Sequence, residues 1–234
     1  LITIGSGVFK ECNNLSSINL EDCVCLIEIG IQAFDGCSSL KEVTIPKSVE
    51  SIKTYAFSNC SGLEKLTVES GNNVYHSEGN CIIETATNRL VFGCKNSIIP
   101  SYITSIGNAF WGCSGLTGEL DLSNCTNLTS IGVSAFNGCS GLTSISLPSS
   151  LKAIEGSAFN NCINLTEVII DSEYVYTNAT STSACGSLFN NTSITTVKVL
   201  TSLLEAGENS YISTNFRKVS TEAIGGKNYT VYSK

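Results

Sequence analysis

The chain has 234 residues, a formal net charge of −7 and only 14% charged residues, against about 25% in an average soluble domain. The negative charge argues against nucleic acid as a partner, because phosphates require a basic surface. No apolar run in the sequence approaches the roughly 18 residues that cross a bilayer, so no transmembrane segment is predicted.

One motif recurs along the chain: a phenylalanine, a cysteine three residues later and a leucine three residues beyond that. The six complete sets are Phe9/Cys12/Leu15, Phe34/Cys37/Leu40, Phe57/Cys60/Leu63, Phe110/Cys113/Leu116, Phe136/Cys139/Leu142 and Phe159/Cys162/Leu165. A seventh set begins at Phe189, where Thr192 replaces the cysteine. Such repetition is typical of a solenoid, in which each unit is one coil that contacts only its neighbours.

A short run with alternating side-chain character follows each set. The seven runs that follow the sets begin at Ile18, Val43, Leu66, Leu120, Ile145, Val168 and Val197. An eighth run begins at Ser97 and is recognised by the Pro100 that follows it, as Pro46 and Pro148 follow theirs. Because side chains alternate across a strand, the outer residues of a run point inward and the middle one points to solvent. We therefore predict eight parallel strands stacked in one sheet, with the phenylalanines of the sets buried in one spine.

The spacing of the runs predicts the other walls of each coil. Successive runs are 25, 23, 31, 23, 25, 23 and 29 residues apart, and the 23-residue units turn at an Ile-Pro or Leu-Pro step such as Pro46, where proline fixes φ. The Ala-Phe-x-x-Cys segments predict one turn of α- or 3₁₀-helix opposite the sheet. A second aliphatic pair, such as Val49/Ile52, predicts the third side.

The 31-residue unit lacks the Ala-Phe-x-x-Cys wall. Two apolar runs, 81–84 and 89–92, surround a four-residue polar turn and predict a β-hairpin, which we expect to cover the convex side of that coil. The stretch before it, 71–79, contains Tyr75 and His76 and is predicted to be an exposed loop.

The repeat fades after Val199. The tail around Ile224-Gly225-Gly226 predicts a second hairpin, which would cap the open end of the solenoid. We therefore divide the chain into a solenoid at 1–200, with eight coils and a hairpin insertion at about 71–94, and a capping segment at 201–234. The sequence opens at Leu1 inside a repeat and without Met, which favours a fragment of a longer polypeptide.

Two quoted patterns resemble a known family. Leu15-x-x-Ile18-x-Leu20-x-x-Cys23 fits the general leucine-rich-repeat consensus, and Ala-Phe-Asn-Gly-Cys-Ser-Gly-Leu-Thr-Ser-Ile-Ser-Leu-Pro-Ser-Ser-Leu-Lys-Ala-Ile (135–154) resembles the BspA-type repeat of bacterial surface proteins. The resemblance covers about residues 1–200. It implies a right-handed solenoid with a parallel β-sheet on its concave face and short helical or 3₁₀ turns and irregular segments on its convex face.

The same resemblance implies a function. It points to a secreted or cell-surface module for adhesion and host interaction, with a protein or glycan ligand, for example in host extracellular matrix. The alternative is a passive structural spacer within a larger surface protein. We expect a monomer.

The twelve cysteines and one histidine do not predict chemistry. Zinc would need a compact Cys or Cys/His cluster, and the only close pair is Cys23-x-Cys25. Cysteine at a packing position of a repeat is expected to be a buried free thiol; if any disulfide forms, Cys81 and Cys94 flank the hairpin and are the preferred pair. His76 is expected to be a solvated loop residue. No nucleotide-binding or catalytic motif is present, so we expect neither an enzyme nor a cofactor.

The candidate binding face consists of outward-pointing residues on and beside the strands. They are Asn19, Thr44, Lys65, Thr67, Glu69, Glu119, Asp121, Ser146, Glu167, Ile169 and Asp171. This face is acidic toward its C-terminal half and has no aromatic anchor, so a partner is expected to be basic or multivalent. A solvated surface without function is the alternative.

Overall fold

The computed structural model describes residues 1–171, 189, 191–200, 217–224 and 226–233. Within these ranges the chain is a β-solenoid of about seven turns with parallel sheets and no helix. The strands, in chain order, are β1 (Thr3–Ile4), β2 (Glu28–Ile29), β3 (Glu42–Ile45), β4 (Ser51–Ile52), β5 (Lys65–Val68), β6 (Tyr75–Glu78), β7 (Cys81–Glu84), β8 (Arg89–Gly93), β9 (Ser105–Ile106), β10 (Gly118–Asp121), β11 (Ser130–Ile131), β12 (Leu142–Leu147), β13 (Ala153–Ile154), β14 (Glu167–Ile170), β15 (Thr196–Leu200), β16 (Arg217–Ile224) and β17 (Lys227–Ser233).

Six of the eight predicted runs form strands, and we call the side that they build the strand wall. β3 pairs with β5, and β10, β12, β14 and β15 pair in that order, all in parallel. The expectation of one continuous sheet is wrong. The runs at Ile18 and Ser97 form no strand, and the backbone N–H of Ile98 bonds instead to the carbonyl of Gly79, at 2.7 Å, in the turn between β6 and β7.

The second aliphatic pairs form a side wall, which confirms the predicted third side of each coil. β1, β2 and β4 make one parallel sheet. β9, β11 and β13 pair in parallel in a second sheet, which also contains β6, β7 and β8. Each strand places one isoleucine in the core, at equivalent register positions. These are Ile4, Ile29, Ile52, Ile106, Ile131 and Ile154.

The Ala-Phe-x-x-Cys segments form a turn wall, and the helical turn expected there is wrong. The segments are chains of i→i+3 turns, as in the bond from Cys37 N to the Phe34 carbonyl at 3.1 Å. The backbone is left-handed two residues before Phe34, at Gln32 (φ 54°), and two residues after it, at Gly36 (φ 81°). A left-handed residue ends a right-handed helix. The residue two positions after the phenylalanine has the same left-handed conformation along the turn wall, at Glu11, Gly36, Asn59, Gly112, Gly138, Asn161 and Asn191.

The phenylalanine spine is confirmed. Phe34, Phe57, Phe110, Phe136 and Phe159 are all buried. Rings of adjacent coils stack with centroids between 5.1 and 5.5 Å apart, except where the insertion interrupts the spine. There Phe92 meets Phe57 edge to face at 5.4 Å, and the ring of Phe110 packs on Gly93, where a Cβ would lie 2.1 Å from Phe110 Cε1.

The insertion is the predicted hairpin, with β7 and β8 antiparallel across residues 85–88. Its predicted place over the convex side is wrong, because β8 pairs in parallel with β9 and so extends the side wall. The exposed loop predicted at 71–79 is also wrong. β6 pairs with β7, and Tyr75 is buried, with its hydroxyl accepting a bond of 3.1 Å from the backbone N–H of Ile52.

β7 is buried on both faces and separates two hydrophobic cores. Ile82 packs with the N-terminal core, while Cys81 and Ile83 pack with the C-terminal one. Cys94 belongs to the N-terminal core. The two cysteines preferred for a disulfide therefore lie on opposite sides of the hairpin, and both are free thiols.

A second hairpin follows the solenoid, as predicted. β17 pairs antiparallel with β15, and β16 pairs with β17. The edge strand β16 carries Arg217, Lys218 and an irregularity in its register between Lys218 and Ser220, features that discourage pairing with a further strand. The proposed boundary at 200/201 borders residues outside the described ranges.

Candidate binding face

The N-terminal half of the predicted face is satisfied by its own contacts. Thr44 and Thr67 share a hydrogen bond of 2.9 Å between their hydroxyls, and Lys65 pairs with Glu42 at 3.6 Å. Glu69 accepts a bond of 2.8 Å from the backbone N–H of residue 47. These side chains hold neighbouring coils together, so few of their polar groups remain for a ligand.

Asn19 lies outside the strand wall, because its run forms no strand. The side chain is exposed and donates to Asp22 at 2.8 Å, while its oxygen accepts from the backbone N–H of Glu21 at 2.9 Å. It forms a local turn and does not join the row of strand residues.

The C-terminal end of the face is closed by the second hairpin. Lys198 bridges Glu167 at 2.5 Å and Glu222 at 2.7 Å. Burial lowers the pKa of Lys198, but the bonds to the two carboxylates outweigh this effect and leave the pKa raised. Asp171, only 9% exposed, is ion-paired with Lys227 and lies 3.5 Å from the hydroxyl of Tyr229. The prediction that Asp171 faces solvent is therefore wrong, and Glu167 is committed to an ion pair.

Glu119 and Asp121 on β10 remain open. Both are exposed, and within the described part of the chain neither takes part in an ion pair. Asp121 accepts one bond of 2.8 Å from the backbone N–H of Ser123. In the register of the sheet, Glu119 pairs with Ser144 and Asp121 pairs with Ser146 of β12. Ser146 pairs in turn with Ile169 of β14. Ser146 is buried, at 9% exposure. On the described strand wall, the predicted face residues that are both exposed and free of ion pairs are Glu119 and Asp121, which we call the β10 patch.

The buried cysteines are unsuited to nucleophilic chemistry. The eleven described ones are free thiols, eight of them buried. Burial raises the pKa of Cys81, Cys113 and Cys162 to about 12. The thiolate is the reactive form, so these groups remain unreactive near neutral pH.

His76 is not the solvated loop residue that was expected. It lies in β6, with Nδ1 3.0 Å from the Thr85 hydroxyl and Nε2 3.0 Å from the Tyr102 hydroxyl. Tyr102 donates to Glu78 at 2.8 Å, so its oxygen accepts from His76 and the Nε2–H tautomer is selected. Burial, followed by the bond to Glu78, raises the pKa of Tyr102 to about 12. The chain of bonds fastens the insertion to the next coil and offers no nucleophile.

Two further features bear on the site. Across the residues that the structure describes, no group of three or more His, Cys, Asp or Glu side chains is placed to hold a metal ion. In the same ranges, no helix has the length and apolar character that crossing a membrane requires.

The repeat corresponds to a described family. The model of the "BspA type Leucine rich repeat region" matches residues 2–88 and 91–217, in six copies. No curated protein sequence shows significant similarity to the chain.

Solved structures share the fold. The pneumococcal vaccine antigen PcpA is 23% identical, with a TM-score of 0.50, over 65% of this chain and 44% of the antigen; the chain thus spans less than half of that protein. A leucine-rich repeat protein from Eubacterium ventriosum gives 22% identity and a TM-score of 0.42, covering 73% of this chain and 63% of that one. A leucine rich cell surface protein from Faecalibacterium prausnitzii gives 20% and 0.49, covering 90% and 71%.

Proposed function

The chain belongs to the BspA-type leucine-rich repeat family, and on this premise we propose that it is a secreted or cell-surface module that binds a protein or glycan ligand. The role would be adhesion or interaction with host extracellular matrix, by a monomer without catalytic activity. The description of the PcpA structure as a vaccine antigen supports a surface location.

The observation that carries the proposal is the β10 patch. Elsewhere on the predicted face, polar groups bond within a local turn at Asn19, to neighbouring coils or to the C-terminal hairpin. Glu119 and Asp121 are exposed and free of ion pairs among the described residues. They lie two positions apart on one strand, about 7 Å along it. The preferred partner is therefore a basic surface that meets both carboxylates, and its binding should weaken with salt.

The test is a charge change that leaves the fold alone. The double variant Glu119→Lys, Asp121→Asn removes both negative charges and keeps an oxygen that can accept the Ser123 bond. Glu50→Lys, Asp22→Asn makes the same change in net charge at exposed positions away from the patch. Both are compared with the unmodified chain for binding to immobilised extracellular-matrix extract across a salt gradient.

We expect the β10 variant to lose binding and the control variant to keep it. Binding that survives in the β10 variant excludes this patch. A complete lack of binding by the unmodified chain would favour the second candidate function, a passive spacer, to which the satisfied N-terminal half of the face is suited.

A further inference from the structure

The turn wall has a junction where the insertion removes one Ala-Phe-x-x-Cys unit. Coil residues 55–59 and 108–112, which are 53 positions apart in sequence, become direct neighbours there. The backbone N–H of Asn59 donates to the carbonyl of Trp111 at 3.0 Å. A Cβ on Gly112 would lie 2.0 Å from the Asn59 side-chain oxygen, so the two segments touch closely.

An aromatic pair lies at this junction. Tyr55 and Trp111 meet edge to face, with ring centroids 4.4 Å apart. Both are partly exposed, whereas the spine phenylalanines of their coils are buried. Positions that correspond to Trp111 in other coils carry the polar residues Asp35 and Asn137, so an apolar ring on this wall is a local departure from the repeat.

Two unsatisfied polar atoms accompany the pair. Within the described ranges, the buried side-chain atoms without a hydrogen-bond partner are Ser58 Oγ and Asn108 Nδ2. Ser58 shares a hydrogen-bonded turn with Tyr55 (N to O, 3.1 Å), and Asn108 shares one with Trp111 (N to O, 3.5 Å). Buried polar groups nearly always have a hydrogen-bond partner. Both exceptions lie at this one junction, which points to a ligand that supplies their partners.

We propose that the junction is a binding site for a neutral sugar ring, a second site that goes beyond the proposed role of the β10 patch. In this proposal the C–H face of a pyranose packs on the partly exposed aromatic pair, and binding brings the sugar's hydroxyls to the buried Ser58 hydroxyl and Asn108 amide. Aromatic surface with a few polar groups is the usual composition of a small-ligand site.

The charge of the junction favours a neutral ligand. Tyr55, Ser58, Asn108 and Trp111 are uncharged, and the nearby carboxylate of Asp35 is already satisfied. It bonds Lys10 at 3.2 Å, Asn59 at 2.7 Å and Gln32 at 3.1 Å. A charged sugar or a basic peptide would find no free counter-charge in these residues.

Trp111 is the only tryptophan in the chain, so its fluorescence reports on the junction alone. The intact chain is titrated with maltose, cellobiose, lactose and N,N′-diacetylchitobiose, and a saturable change in emission is expected with at least one of them. Ser58→Ala and Asn108→Ala should each raise the dissociation constant about threefold to tenfold, the effect of one lost hydrogen bond. Tyr102→Phe, a partly buried aromatic residue outside the junction, is the control and should leave it unchanged.

Three outcomes overturn the proposal: no saturable change with any of the four sugars, an unchanged constant in both the Ser58 and Asn108 variants, or an equal loss in the Tyr102→Phe control. Melting curves of each variant show whether it is folded. The Glu119→Lys, Asp121→Asn variant should bind the sugar normally, so failure of the β10 patch and failure of the junction are read separately.

Discussion

The thiol of Cys139 donates a hydrogen bond to the backbone carbonyl of Phe110 in the preceding coil, with 3.2 Å between Sγ and O. The same contact joins Cys37 to Phe9 at 3.1 Å, Cys60 to Phe34 at 3.1 Å and Cys162 to Phe136 at 3.0 Å. The recurring cysteine therefore does more than fill space. It gives a turn-wall carbonyl a second donor, from the neighbouring coil, beside the backbone N–H of the cysteine in the carbonyl's own coil, as in the bond of 2.9 Å from Cys113 N to the Phe110 carbonyl.

Replacing Cys139 with alanine should remove this bond and leave a small cavity. We expect the free energy of unfolding to fall by about 1–3 kcal/mol, from the lost hydrogen bond between coils and the lost packing. Cys12→Ala is the matched control, because Cys12 occupies the same repeat position in the first coil and is exposed; its effect should stay within about 0.5 kcal/mol. Urea unfolding of the two variants measures both, and equal losses would contradict a role for the hydrogen bond.

The accessibility of the thiols is a second prediction. Cys12 and Cys25 are exposed, and eight of the other described cysteines are buried. A thiol reagent should therefore label the native chain quickly at only a few positions, and all twelve cysteines after unfolding without reductant. Fewer than twelve in the unfolded chain would indicate disulfides. Rapid labelling of Cys139 or Cys162 in the native chain would contradict the buried turn wall.

Gly93 offers a test of the insertion as a part of the spine. An added methyl group would lie 2.1 Å from the Phe110 ring, so Gly93→Ala should force the ring or the hairpin to move and cost about 1–3 kcal/mol. In Gly156→Ala the new methyl would have nothing within 4 Å, and stability should stay the same or rise by about 0.4–1 kcal/mol. Thermal unfolding of both variants measures these effects. An unchanged stability of Gly93→Ala would mean that β8 does not pack against Phe110 in place of a missing phenylalanine of the spine.

Sequence reasoning found the features that repeat. Phenylalanine spacing predicted the spine because the same burial recurs in each coil, and the hairpin 81–92 followed from two apolar runs around a polar turn. The helical turn was a misreading that the sequence itself could have corrected, since Gly or Asn stands two residues after most of the phenylalanines and these residues favour the left-handed conformation.

Features that depend on single long-range contacts were out of reach. Tyr75 lies in a polar stretch, yet it packs in the N-terminal core and its hydroxyl accepts the bond from Ile52 N. Asp171 meets Lys227, 56 positions away, so the closure of the C-terminal end of the predicted face depends on where the second hairpin docks. No local pattern carries that information. The Tyr55–Trp111 pair likewise required knowing that the insertion brings its two coils together.

Alkaline pH should weaken the fold through the same thiols. Burial raises the pKa of Cys37 to about 11 and that of Cys162 to about 12, from an ordinary value of 9.0. Between pH 9 and the raised values, the unfolded chain loses thiol protons that the folded chain retains. The folded state then binds more protons, so its stability is complete below pH 9 and falls as the pH rises. Each such thiol contributes a slope of about 1.4 kcal/mol per pH unit in that window.

Urea unfolding in reducing buffer at about pH 8 and about pH 10 should show this loss of stability. Tyrosines and lysines also titrate there, but they do so equally in Cys162→Val, which lacks one thiol, and the difference between the two slopes isolates its contribution. Identical slopes in the variant and the unmodified chain would mean that Cys162 ionises as readily in the folded coil as in the unfolded chain.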